Sequence, residues 1–410
     1  MSRSGFLMDY VKLASGSVGR LVIALAYFLV AANVLSLADF GFFATASALG
    51  IILSRVAGFG FVSPLFRAAT VKPQLIGTYL TGFLVALGVS LPVVAALSLA
   101  AYLMLLHAMP WQAFALVVMS EVLGWRMLEI VAIINNGRRN FGVASTLVLA
   151  GSLIRTLAAL AFWWLGQTDL TTWALWYLAA NLLSALAAWL FFLPALRWRL
   201  APKLYRARLS DALAAASADV VFYVQAELDK AVVLAAAGPR MAGLYAIAMR
   251  IIDLTGMPVR VFNQLAMQKL MTDRAMTYGR RRLVTTEVGI AIISVAALAA
   301  TISLLWLWPH LLGRNVAMAA SLFPLMIAVP AFRNLVEYHA DLLYGLERTE
   351  LRAGLLATIA FAKGLLLWLV IHLAGGGDGW LIWVNAVFLI LWTLSALVTY
   401  RAIRSARRPV

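Results

Sequence analysis

Apolar runs of roughly twenty residues recur along the whole chain, separated by short polar breaks, and each could cross a hydrocarbon core of about 30 Å as a helix. They lack the strict apolar–polar alternation of barrel strands. The pattern predicts an all-α integral membrane protein of about twelve transmembrane helices, at roughly 15–37, 39–62, 75–106, 112–134, 141–165, 172–193, 212–236, 241–263, 284–307, 318–343, 351–373 and 379–400. The first run has no small-residue cleavage site and reads as an anchor, not a removable signal peptide.

The polar positions that interrupt these runs repeat. Asn136-Gly137-Arg138-Arg139 is echoed by Tyr344-Gly345-Leu346-Glu347, with Glu129 and Glu337 before the glycines and Arg155 and Lys363 after them. Earlier, Phe40-Gly41-Phe42-Phe43-Ala44 matches Ala242-Gly243-Leu244-Tyr245-Ala246, followed by Arg67 and Lys269. The offset is about 202 residues early and about 208 later, as for two repeats with small loop changes. The expected organisation is a six-helix lobe over 1–193, a connection over 194–211, a second six-helix lobe over 212–400 and a basic tail over 401–410.

Composition agrees with lipid as the solvent: the chain is 64% hydrophobic and 12% charged, with a mean hydropathy of +0.92. The net charge of +16 is spread as topology information, not as a nucleic-acid footprint. Breaks such as Arg138–Arg139, the 197–208 cluster, Arg280–Arg282 and the last ten residues are basic, whereas the alternate breaks carry only Arg240 and Arg314. The positive-inside rule then puts both termini in the cytoplasm. Trp111, Trp163, Trp164, Trp173, Trp176, Trp306, Trp308, Trp380 and Trp383 gather at the opposite ends, where interfacial anchors belong. The basic connections read as contacts for anionic lipid headgroups.

No cysteine is present, which excludes disulfides and thiolate chemistry. Four scattered histidines give no zinc motif. Catalytic residues, metals and cofactors are not expected.

Charges at membrane depth are the candidate chemistry, because each costs several kcal/mol unless paired or wet. The cations are Arg20, Arg55, Arg126, Arg155, Lys230, Arg250, Arg260, Arg333 and Lys363; the acids are Glu121, Glu129, Glu227, Asp229, Asp253 and Glu337. Asp219, Tyr223, Glu227 and Lys230 share one face of the seventh span. Expected pairs are Asp253 with Arg250, Arg333 with Glu337, and Glu121 with Arg155. Cations outnumber acids, which points to water or an anionic ligand; arginine suits phosphate through its bidentate fork. Arg55, Arg250, Arg20 and Arg260 are the expected anion-binding set, with Glu227, Asp229, Lys230, Arg126, Arg155, Arg333 and Lys363 in cavity or coupling roles. Pro92, Pro258, Pro324 and Pro330 are expected to interrupt spans that must move. A duplicated apolar unit with charges at depth points to transport.

The segments Leu37-Ala38-Asp39-Phe40-Gly41-Phe42-Phe43 and Glu227-Leu228-Asp229-Lys230 … Gly238-Pro239-Arg240-Met241-Ala242-Gly243-Leu244-Tyr245-Ala246 resemble those of polysaccharide flippases. These belong to the multidrug/oligosaccharidyl-lipid/polysaccharide exporter superfamily, in its O-antigen and exopolysaccharide-unit branch. The resemblance implies a two-lobed, V-shaped bundle in a bacterial inner membrane. It would flip an undecaprenyl-diphosphate-linked oligosaccharide outward, with membrane lipids and other polysaccharide-assembly proteins as partners. In the relative that flips the peptidoglycan precursor, cavity arginines on helices one, two and eight hold the diphosphate; Arg20, Arg55 and Arg250 occupy comparable helices. The alternatives are a cation-coupled multidrug exporter of the same superfamily, a membrane glycosyltransferase or polymerase using the same lipid carrier, and a scaffold.

Overall fold

The computed structural model describes residues 22–263, 280–374 and 379–406. Arg20 and Lys269, both of interest in the sequence, lie outside them. Every regular element among the described residues is helical. Eight helices there are long and apolar enough to cross a bilayer, nine if one bent pair counts as a single span. Their outward surfaces are apolar, with Met104, Trp164, Phe191, Trp306 and Leu373 largely exposed, as lipid contact requires.

The described residues group into two compact units, one over Val22–Glu227 and the other from Leu228 onward. In the first, α1 (Val22–Val34) leads to α2 (Leu37–Val56), started by the Ser36 hydroxyl, which accepts from the Asp39 amide at 3.1 Å. Then come α3 (Val62–Val71), α4 (Ile76–Ala101), α5 (Trp111–Met119) and α6 (Arg126–Gly137). The unit continues through α7 (Phe141–Trp164) and α8 (Leu170–Phe191). The Asp169 carboxylate caps α8 by accepting from the Thr172 amide at 2.8 Å. The long α9 (Pro202–Ala237) starts in the first unit and ends in the second. The second unit holds α10 (Pro239–Thr255), α11 (Arg280–Leu307), α12 (Arg314–Ala320), α13 (Val329–Gly345), α14 (Thr349–Leu373) and α15 (Trp380–Ala406).

The repeat read from the sequence is visible in backbone geometry. At the end of α6, Arg139 takes a left-handed φ of 64°; at the end of α13, Glu347 takes 61°. The Arg139 amide donates to Asn136 and the Asn140 amide to Asn135; the Glu347 and Arg348 amides donate to Tyr344 and Leu343 in the same way. This paired hydrogen bonding around a left-handed residue is a Schellman cap, made here twice without glycine in the left-handed place. Aromatic packing repeats too. Phe43 on α2 meets Trp173 on α8 at 5.5 Å, and Tyr245 on α10 meets Trp380 on α15 at 6.1 Å. Both tryptophans are fully buried, so Trp173 and Trp380 are core residues, not the interfacial anchors expected of them. Such ring pairs add about 0.5–1.5 kcal/mol beyond the area they bury.

Several expected spans depart from regular helix, three of them near charged or proline-rich segments. The span expected at 39–62 breaks after α2, where Gly58, Phe59 and Gly60 have φ of 76°, 47° and 71°. Only glycine adopts such angles without cost, so Phe59 is strained. The Gly58 amide, lost to the helix, donates to the Ser90 hydroxyl at 2.9 Å. The span at 112–134 carries a π-helical turn over Ser120–Trp125 between α5 and α6. Its counterpart in the second unit is broken outright, α12 and the following Pro324–Gly345 stretch meeting at a bend of 55°. Pro324 and Pro330 both follow that break; Pro92 instead sits inside an unbroken α4. Asn385 on α15 holds the irregular stretch that follows the break, accepting from the Ala328 amide at 3.0 Å and donating to the Leu325 carbonyl at 2.6 Å.

Candidate functional site

The charges at membrane depth gather into small groups within each unit. In the first, Arg55 on the last turn of α2 and Arg126 at the start of α6 both reach the same oxygen of Glu129, at 2.8 and 2.7 Å. Both arginines are buried, and the Nε of each has no hydrogen-bond partner. Tyr223 on α9 lies under the Arg55 guanidinium at 4.3 Å. Burying two cations against one carboxylate leaves an excess positive charge, which costs energy unless something further compensates it.

A second group in that unit is acidic and aromatic. Glu121, on the π turn, is buried and accepts from the Ser47 and Tyr177 hydroxyls, each at 2.6 Å. The Arg155 guanidinium stacks on Trp125 at 3.8 Å and faces Tyr27 at 5.5 Å. The expected Glu121–Arg155 ion pair is therefore absent. The π turn turns Glu121 toward hydroxyls on α2 and α8 and gives Arg155 aromatic faces.

In the second unit Lys363 on α14 sits 3.5 Å from Asp229, which also accepts from the Tyr245 hydroxyl at 3.0 Å. Both charged groups are buried. Asp253 on α10 receives Arg333 at 2.6 Å and Arg260 at 3.3 Å, and Arg260 also pairs with Glu337 at 3.0 Å. The i,i+4 pair expected between Arg333 and Glu337 does not form; each finds a partner across helices. Arg250, on α10, is exposed. On the α9 stripe, Glu227 and Lys230 are half-buried and Asp219 is exposed. Of the expected anion-binding set, Arg55 lies in the first unit and Arg260 and Arg250 in the second.

One cluster escaped the sequence reading. His339 on α13 is fully buried; its Nε2 lies 3.0 Å from Glu287 on α11 and its Nδ1 2.8 Å from the Ser395 hydroxyl on α15. The Tyr400 hydroxyl also donates to Glu287. No local motif announces this group, because its members come from three helices far apart in the chain. No group of histidine, cysteine or carboxylate side chains among the described residues could hold a metal ion.

Comparison with known proteins places the architecture. No family model and no curated protein matches the chain. Solved structures do: an inward-facing multidrug resistance MATE family transporter of the MOP superfamily aligns over 98% of this chain and 99% of its own, with TM-score 0.64 and 13% identity. This is the fold of MOP-superfamily transporters. A MOP superfamily transporter from Pyrococcus furiosus, whose reversed pocket polarity suggests a different function, aligns over 98% and 96% with TM-score 0.62 and 14% identity. A Vibrio cholerae MATE transporter in its bent form aligns over 98% of both chains with TM-score 0.56 and 16% identity. Identities this low establish the fold and nothing finer. The sequence resemblance to the superfamily stands at that level; its polysaccharide branch finds no counterpart among these three.

Proposed function

We propose that this protein is a multi-pass bacterial inner-membrane transporter that exports an amphiphilic cargo by alternating access, and that cation-coupled export of the multidrug type fits it better than oligosaccharide flipping. The observation that carries this reading is charge compensation. Arg55, Arg126, Arg260, Arg333 and Lys363 each have a carboxylate within ion-pair distance. Five of the nine cations at membrane depth are thus paired within the protein, which leaves fewer to meet an anionic cargo. The multidrug transporters among the solved structures support the same choice. Buried carboxylates such as Asp229 and Glu121 supply positions where a coupling cation could bind and be released.

A second reading, flipping of an undecaprenyl-diphosphate-linked oligosaccharide, keeps one observation in its favour. Arg55 and Arg126 share a single Glu129 oxygen and hold Nε donors without partners, a disposition suited to an anionic group. That reading also assigns Arg20, Arg250 and Arg260 to anion binding. Vesicles containing only this protein separate the two. Efflux of a cationic dye that follows an imposed proton or sodium gradient, with no movement of a lipid-linked oligosaccharide, supports the first. Oligosaccharide flipping without dye efflux overturns it in favour of the second, and neither activity overturns export altogether.

A further inference from the structure

The connection expected to be a loop over 194–211 is built into the first unit. A Cβ placed on Gly77 would lie 2.3 Å from the Arg197 carbonyl oxygen, and one on Gly60 would lie 2.0 Å from that of Ala212. Backbone meets backbone at both places, and only glycine allows it. The Tyr205 hydroxyl donates to the Thr78 carbonyl at 2.9 Å, and its ring packs edge-on against Phe61 at 5.7 Å. The connection and the start of α9 are thus pinned on α3 and α4.

Between α3, the start of α4 and the start of α9 lies a cavity of about 550 Å³. Arg67 from α3, Lys72 from the turn after it and Arg208 from α9 line it, with the Ser63 and Tyr79 hydroxyls and one carboxylate, Asp211. Asp211 pairs with Arg208 at 3.3 Å across an exposed surface. Three cations against one acid leave the cavity positive. Pro64, Leu75 and Leu204 give it an apolar wall. Phe66 and Val71, on the same short helix, are 47% and 68% exposed. Arg67 and Lys72 belong to breaks on the strongly basic side of the charge pattern, where lipid headgroups gather.

We infer that this cavity binds the phosphate of an anionic phospholipid, with the acyl chains lying along the apolar surface beside it. Cations from three separate elements line this one cavity, and the Ser63 and Tyr79 side chains among its lining carry hydroxyls that can hydrogen-bond a phosphate. Positive-inside charges that only set topology need not line a shared cavity. A free phosphate would satisfy the cations equally but would make no use of the apolar wall.

The test uses the purified full-length protein in detergent, with short-chain phosphatidylglycerol, phosphatidylcholine of the same chains, and inorganic phosphate as probes, and bound lipid read by native mass spectrometry. Phosphatidylglycerol is expected to bind about tenfold or more tightly than phosphatidylcholine, with the preference lost in Arg67→Gln/Lys72→Gln/Arg208→Gln. Lys203→Gln/Arg206→Gln, which removes as many as two charges from the same segment outside the cavity, should leave the preference within about twofold. If the triple variant does not fold, Arg67→Gln and Lys72→Gln singly should each weaken binding severalfold. Retention of phosphatidylglycerol by these variants at the level of the unaltered protein overturns the site. So does displacement of bound phosphatidylglycerol by inorganic phosphate at equal concentration, which would assign the cavity to a free anion.

Discussion

The two units place a cation at the same point of the repeat and then treat it in opposite ways. Arg155 on α7 is held between aromatic faces, Trp125 and Tyr27. Lys363 on α14 is held by a carboxylate, Asp229, whose other oxygen is bonded to Tyr245. A guanidinium is planar and weakly hydrated, so it can stack; an ammonium is compact and strongly hydrated, so burial demands an opposite charge. The repeat conserves the location of the charge, and the chemistry of each side chain selects its neighbours. The same contrast runs through the matched glutamates. Glu129 is largely buried between two arginines, while Glu337 and its partner Arg260 are each more than a third exposed.

The sharpest way to break this comparison is to remove Lys363. Lys363→Met leaves Asp229 buried without its ion-pair partner and should destabilise the protein by about 3–5 kcal/mol, with Lys363→Met/Asp229→Leu recovering much of it. Unfolding of the purified protein in detergent measures both; a double variant no better than the single would show that the pair does not act as a unit. Next, Glu129→Gln should cost about 3 kcal/mol because two buried arginines lose their shared charge. Glu337→Gln, in the wetter pair, should cost less than about 1 kcal/mol. Equal losses would show that depth is not what separates the two units.

Arg155→Met should cost about 1–2 kcal/mol, since it removes a stacked cation and strands no carboxylate. A loss as large as that of Lys363→Met would mean that Arg155 supports Glu121 after all. The smallest effect should be favourable. Arg139→Gly and Glu347→Gly each relieve a left-handed side chain and should stabilise by about 1 kcal/mol, alike in the two units. A stabilisation at one and a loss at the other would separate the two caps in function.

The duplicated caps were legible because a tight turn writes itself locally, in Asn136-Gly137-Arg138-Arg139 and Tyr344-Gly345-Leu346-Glu347. The spans were legible because lipid imposes apolar length. Partners were not. Glu121 lies near Arg155 when helices four and five are laid side by side on paper, but a π turn over Ser120–Trp125 rotates it toward Ser47 and Tyr177. The break at Gly58-Phe59-Gly60 sits in an apolar run that hydropathy cannot divide, and its strained Phe59 leaves no mark on composition. Trp173 and Trp380 lie at helix ends like interfacial tryptophans, and only packing against Phe43 and Tyr245 shows them to be core. The cluster of His339, Glu287, Ser395 and Tyr400 depends on three helices meeting, which no spacing rule encodes.

Asn385 grips the irregular stretch just before α13 through a single side-chain amide. A broken helix usually leaves its amide protons open to exchange with solvent, yet here the Ala328 proton has a dedicated acceptor on another helix. Deuterium uptake at that proton therefore works as a built-in clock for the break. It will be slow while α15 stays docked and fast whenever the bend unhooks, which lets opening be timed from the backbone alone, without label, cargo or reporter.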